Sequence, residues 1–129
     1  MASLSYRYVK EDGIYRPKIP IIISVDGVKT EVVGLIDSGS DFVLFPREIA
    51  EAVGIKLSRK IDKADGIGGQ IRCRSGLATI ILKKGNIIKR LTNMKIYVQI
   101  DENGIDEILL GRTPFFNILR LNLTKMPEG

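Results

Sequence analysis

The sequence predicts an all-β protein that forms one small domain. Runs rich in Ile and Val are separated by tight-turn residues, the pattern expected of short strands joined by hairpins. The chain has 129 residues, 44% hydrophobic and 27% charged, which is enough for one buried core. No linker or fixed-period repeat interrupts the sequence, so we expect a single domain over residues 1–129.

The first half of the chain predicts a hairpin followed by a short helix. Lys18 to Val25 is apolar and β-branched, Asp26-Gly27 favours a two-residue turn, and Val28 to Ile36 forms the returning strand. Pro46 fits the first turn of a helix, and Gly54 ends that helix. Upstream of residue 16, the alternation predicts either a strand with a turn near Gly13 or a loosely held terminus.

The second half predicts further strands and one more helical turn. The helical turn begins at Thr113-Pro114 and continues through Leu119. The expected strands are Gln70 to Leu82, Ile87 to Leu91, Met94 to Ile100, Ile108 to Leu110 and Arg120 to Thr124.

Several classes of chemistry are excluded by composition. Histidine is absent and Cys73 is the one cysteine, which removes His-dependent nucleophilic catalysis and zinc sites built on imidazole or thiolate. We therefore expect no metal and no cofactor, and carboxylates are the best general acids and bases left. We expect Cys73 to be a packed, unreactive thiol.

Charge and hydropathy predict neither nucleic acid nor membrane as a partner. The net charge is +5, but Lys and Arg are spread along the chain and aromatic residues are 6%, too few for base stacking. No apolar stretch approaches the roughly 20 residues that span a bilayer, and the first residues do not resemble a secretory signal. We therefore expect a cytoplasmic protein.

Asp37-Ser38-Gly39 is the most informative motif. It follows the apolar run 32–36 and precedes the apolar run 42–45. A carboxylate at the end of a buried strand costs free energy unless its charge is shared, paired or used. Peptide hydrolysis by two aspartates that share one proton uses such a carboxylate. The alternative is an ordinary turn, in which Asp and Gly are common.

Four other acids lie in or near turns and are expected to be solvated: Asp26, Asp65, Asp101 and Asp106.

A glycine-rich segment, Gly66-Ile67-Gly68-Gly69, forms a second motif. A phosphate-binding loop requires a following helix, but residues 70–74 alternate as a strand does. The segment is therefore expected to be the tip of a hairpin, either a flexible turn or a mobile flap that closes over a ligand.

Taken in order, these motifs resemble the retropepsins, the single-domain aspartic proteases of retroviruses and their cellular and prokaryotic relatives. The matching segments are Arg16-Pro17, Leu35 to Asp41, Leu44 to Pro46, Gly66 to Gly69, and Leu109 to Arg112. The chain departs from the family in having Ser38 where many retroviral members have Thr, and Thr113-Pro114 after Gly-Arg. Residues 1–15 extend beyond the usual start and could add a strand.

The resemblance implies a small closed barrel-like β fold with one or two short helices, a flap hairpin and an active site at a homodimer interface. It implies a peptide or protein substrate, hydrolysed by water activated between Asp37 and its copy in the partner chain, with Ser38 and Gly39 in the active-site loop. Gly66, Ile67, Gly68 and Gly69 would form the substrate-covering flap. An Asp41–Arg112 ion pair would lie beneath the loop.

Two other functions remain open from the sequence. One is a catalytically weak or inactive member of the fold that dimerises or binds peptides. The other is a small basic β-barrel that binds nucleic acid.

Overall fold

The computed structural model describes residues 3–7, 9–11, 13–37, 40–66, 69–101, 105–111 and 120–124. This part of the chain is mostly β-strand with one short helix. The strands are β1 Ser3–Arg7, β2 Val9–Glu11, β3 Ile14–Arg16, β4 Lys18–Val25, β5 Val28–Ile36, β6 Val43–Phe45, β7 Asp62–Gly66, β8 Gly69–Lys84, β9 Ile87–Gln99, β10 Ile108–Leu110 and β11 Arg120–Thr124; the helix is α1 Arg47–Val53.

Six strands close into a barrel. Their order is β4-β5-β10-β6-β9-β8, and β8 pairs back onto β4 while β7 extends β8 outside the ring. The short strand β10 lies between β5, to which it is parallel, and β6, to which it is antiparallel. The all-β, barrel-like fold predicted from the sequence is therefore confirmed.

The barrel interior is filled by alternate residues of its strands, as a period of two requires. Fully buried side chains come from five of the six barrel strands, β4, β6, β8, β9 and β10, and Phe45 of β6 is the largest of them. They include Ile19, Ile21, Ile23, Ile80, Leu82, Ile96, Ile108 and Leu110. Because β10 contributes two of these side chains, its position between β5 and β6 is fixed by core packing.

Helix α1 closes one end of the core. Pro46 precedes it with a φ of −60°, and Gly54 ends it at a φ of 82°, a left-handed conformation that glycine adopts at low cost. The amide of Gly54 donates to the carbonyls of Ala50 and Glu51. Ala50 and Val53 are buried in the main core, so the helix predicted here is confirmed.

The prediction of two separate strands, at 87–91 and 94–100, is wrong, because β9 is continuous from Ile87 to Gln99. Asn93 lies within it at a φ of 54°, and the pairing of β8 with β9 shifts register between Ala78 and Ile80. A bulge of this kind absorbs an irregular residue without ending the strand.

The terminal segments form two small sheets. β1 pairs in parallel with β11, and β2 pairs with β3, so of the two alternatives for the segment before residue 16 the structure has the strand. The helical turn predicted over 113–119 lies outside the described residues. Within the part of the chain described, no helix is long and apolar enough to cross a bilayer.

Candidate active site

Asp37 follows directly after β5 and is held through its backbone. Its amide donates to the carbonyl of Leu110 at 3.1 Å, and its carbonyl accepts from the amide of Ser40 at 3.1 Å. One residue earlier, the amide of Ile36 donates to the carbonyl of Pro17 at 2.7 Å. The end of β10, the segment before β4 and the loop itself therefore hold the backbone of residues 36 and 37, from which the Asp37 side chain projects.

The loop after Asp37 is closed by local hydrogen bonds. Ser38 and Gly39 lie outside the described residues. Ser40 Oγ donates to the carbonyl of Phe42 at 3.0 Å and accepts from the amide of Phe42 at 3.4 Å. This side-chain turn brings the chain back into β6.

Gly111, directly after β10, lies against the backbone of this loop. A Cβ atom there would lie 2.7 Å from the carbonyl oxygen of Ser40 and equally close to the amide of Phe42. Backbone meets backbone at this point, so any side chain would force the two segments apart. Gly111 belongs to the segment Leu109 to Arg112, which the sequence analysis had identified as one of the matching segments.

An apolar surface lies beside Asp37 on the face of the sheet opposite the main core. Leu109 pairs with Leu35 on one side and with Leu44 on the other, and Leu44 pairs with Tyr97. The Phe42 and Tyr97 rings extend this surface, with centroids 4.7 Å apart. Leu44 is buried, but Leu109 and Tyr97 are only half-buried. This apolar row could accept side chains of a ligand.

The glycine-rich segment lies at a hairpin, as expected. β7 and β8 are antiparallel, and Gly66 pairs with Gly69. Ile67 and Gly68, the two residues between them, lie outside the described residues.

The base of this hairpin is anchored by Arg72 and Asp101. The Arg72 guanidinium donates to Asp101 Oδ1 at 2.8 and 3.2 Å, and the Arg72 amide donates to Oδ2 at 3.3 Å. These hydrogen bonds lower the pKa of the Asp101 carboxyl. Asp101 is at a bend and remains partly exposed to solvent, as expected of a turn acid, but it also pairs with Arg72, which the sequence did not indicate.

A second ion cluster lies just before β10. Glu107 accepts from the Arg16 guanidinium at 2.9 and 3.2 Å, and Lys18 Nζ lies 2.7 Å from Glu107 Oε1. The Lys18 hydrogen bond, with that of Arg16, lowers the pKa of Glu107. The cluster spans the two segments that bond to residues 36 and 37. This ion cluster was not predicted from the sequence, because it joins residues about ninety positions apart. The one indication in the sequence was an acidic residue, Glu107, directly before a buried strand.

The predicted Asp41–Arg112 ion pair stays a prediction. Asp41 is exposed in the single chain, and Arg112 lies outside the described residues.

Cys73 is fully buried, as expected of a packed thiol, and burial raises its pKa to about 11.

Comparison with known proteins agrees with this geometry. The sequence model of a family described as aspartyl protease matches residues 21–113, well over half of the chain. Among solved structures, EIAV protease complexed with the inhibitor HBY-793 is similar in fold, with a TM-score of 0.58 and 21% sequence identity. The match covers 85% of this chain and 94% of that one. No curated protein sequence matches the chain.

The chain therefore belongs to the aspartyl protease family. Its fold is retropepsin-like, because the described residues form a closed six-stranded barrel with one short helix, similar in fold to EIAV protease.

Proposed function

We propose that this protein is a homodimeric aspartic endopeptidase whose catalytic pair is Asp37 and the partner subunit's Asp37. The observation that carries the proposal is the position of Asp37 at the end of β5, where hydrogen bonds to Leu110 and Ser40 hold its backbone, in a chain of the aspartyl protease family. The chain contains a single Asp-Ser-Gly or Asp-Thr-Gly motif, so a pair of such aspartates requires two copies.

The proposed mechanism uses one proton shared between two carboxyl groups. Like charges about 3 Å apart cannot both ionise, so one carboxyl stays protonated while the other is charged. The charged group takes a proton from a water molecule that attacks the scissile carbonyl, and the protonated group donates its proton to the carbonyl oxygen, which gives a tetrahedral diol. The C–N bond then breaks as the leaving nitrogen takes the proton removed from water, and a diol hydroxyl returns a proton to the other carboxyl group. No covalent intermediate forms. Because the proposed mechanism needs one charged and one protonated carboxyl group, the rate should peak on the acid side of neutrality and fall on either side of that peak.

The proposed substrate is an extended peptide. The half-buried row of Leu109 and Tyr97, with Phe42, offers apolar contacts beside Asp37. The β7–β8 hairpin would cover the peptide as a flap, with Ile67 excluding water and Gly66, Gly68 and Gly69 allowing the hairpin to bend. An extended peptide would add a strand between this hairpin and the floor. Ser38 and Gly39 would complete the active-site loop after Asp37.

The cytoplasm remains the predicted compartment.

The dimer is tested by measuring solution mass and specific activity over a dilution series. We expect a mass twice that of one chain, and a specific activity that falls as dilution separates the subunits. A strict monomer that cleaves protein at undiminished specific activity would contradict the proposal. A stable dimer that binds peptides without cleaving them would identify a non-catalytic binding module instead.

A further inference from the structure

The far end of the β8–β9 hairpin carries a concentration of positive charge. We call residues 83–90 the β8–β9 tip. Between Asp65 and Asp101 the sequence contains seven Lys and Arg residues and no acid. Four of the seven cations lie in the tip: Lys83, Lys84, Lys89 and Arg90. Glu31 on β5, which lines a shallow cavity with Lys83, offsets part of this charge.

The same tip exposes two isoleucines. Ile87 is 41% exposed and Ile88 is 59% exposed. In the hairpin register Lys84 pairs with Ile87 and Lys83 with Ile88. Because side chains alternate between the two faces of a strand pair, each face carries one isoleucine and two cations. Ile88 shares a face with Lys83 and Arg90, and Ile87 shares the other with Lys84 and Lys89.

This combination of chemistry selects among possible partners. A second copy of the tip would bring like charges together, which disfavours a self-contact. Single-stranded nucleic acid is bound largely by stacking on aromatic side chains, and residues 83–90 contain none. An anionic lipid surface satisfies both features, since its head groups attract Lys and Arg and its interfacial layer accepts apolar side chains.

We propose that the β8–β9 tip docks this protein peripherally on anionic membranes. The tip lies at the opposite end of β8 from Gly69, so docking leaves the β7–β8 hairpin and the apolar row beside Asp37 open. The expectation of no membrane partner rested on the absence of a spanning segment, and a peripheral contact needs none. The cytoplasmic leaflet is the anionic one, which agrees with the predicted compartment.

The test is co-sedimentation of the full chain with vesicles of phosphatidylcholine, with and without phosphatidylserine. We expect binding to the phosphatidylserine vesicles, weaker binding as salt rises, and little binding to phosphatidylcholine alone. Replacing the four tip cations with Gln should reduce the partition coefficient by at least about tenfold. The pair Ile87→Ser and Ile88→Ser should reduce it by about the same factor while leaving net charge unchanged.

The matched control removes four exposed cations elsewhere: Lys29→Gln, Lys56→Gln, Arg59→Gln and Lys60→Gln. Both quadruple variants lower the net charge from +5 to +1, so only the position of the charge differs. If the tip variant does not fold, Lys83→Gln with Arg90→Gln removes the cations of one face alone. Equal loss in the tip and control variants would overturn the proposal, as would no binding by the unmodified chain. Tip-dependent binding of DNA or RNA without vesicle binding would also overturn it.

Discussion

The amide of Asp37 donates a hydrogen bond to the carbonyl of Leu110, at 3.1 Å. Through this bond the last residue of β10 holds the first residue of the loop that follows β5. Leu110 is fully buried, so the hydrogen bond joins the candidate catalytic residue directly to the barrel core. We therefore expect activity to depend on Gly111, the residue after Leu110, although glycine has no side chain.

Gly111→Ala should destabilise the protein and strongly reduce any cleavage. The added methyl group would meet backbone atoms of Ser40 and Phe42, which cannot move without displacing the loop after Asp37. Overpacking of this kind costs roughly 1–3 kcal/mol of unfolding free energy. The measurement is denaturant unfolding together with cleavage of an unfolded protein substrate.

Gly34→Ala is the matched control for that substitution. The nearest atoms to its added methyl would be Leu110 Cδ1 and Cγ, at 2.7 and 2.9 Å, which belong to a side chain rather than to the backbone. The control should lose less stability and less activity than Gly111→Ala. Wild-type behaviour of Gly111→Ala would show that the loop does not depend on this close approach.

Glu107→Gln should lower stability at neutral pH but not at low pH. The pKa of Glu107 is lowered in the folded state, so its ionised form adds stability above the ordinary value of 4.5. That contribution is lost as the pH falls through the lowered folded-state pKa. Because Glu107 is partly exposed, we expect about 1 kcal/mol at neutral pH.

Unfolding free energies of wild type and Glu107→Gln, measured from neutral to acid pH, test this expectation. Glu51→Gln, at an exposed position of α1, should change stability by less than about 0.5 kcal/mol throughout. A Glu107→Gln deficit that stays constant down to the most acid pH would show that the loss is not electrostatic.

Cys73 should resist alkylation in the folded protein. Its burial, with smaller contributions from Asp101 and Asp62, raises its pKa to about 11, so the reactive thiolate is scarce near neutral pH. Iodoacetamide should label the native chain at least about a hundredfold more slowly than the unfolded chain. Comparable labelling rates by mass spectrometry would refute a packed thiol at this position.

Elements specified by local pattern could be predicted from the sequence. The bounds of β4 and β5 match the expectation because alternation and the Asp26-Gly27 turn define them together, and β10 matches because its three residues are apolar. The break expected in β9 was wrong because a left-handed Asn93 within a strand is tolerated only when the partner strand adjusts. That adjustment depends on tertiary pairing.

The site was only partly accessible to sequence reasoning. Asp37 and the hairpin at Gly66 and Gly69 lie where their motifs indicated. The pairing of Glu107 with Arg16 and Lys18, and of Asp101 with Arg72, could not be predicted. Ion pairs between distant residues depend on which strands become neighbours, and charge spacing along one chain does not contain that information.

The central claim is that Asp37 carries the chemistry, and Asp37→Asn tests it most directly. Asn cannot exchange the proton that the proposed mechanism moves, so cleavage of an unfolded protein substrate should fall by at least about a thousandfold. Asp26→Asn is the matched control, because Asp26 is exposed in a turn at a φ of 50° that Asn also adopts. We predict that Asp37→Asn stays folded with the wild-type solution mass but loses cleavage, while Asp26→Asn keeps it. Cleavage by purified Asp37→Asn at the wild-type rate would contradict the account.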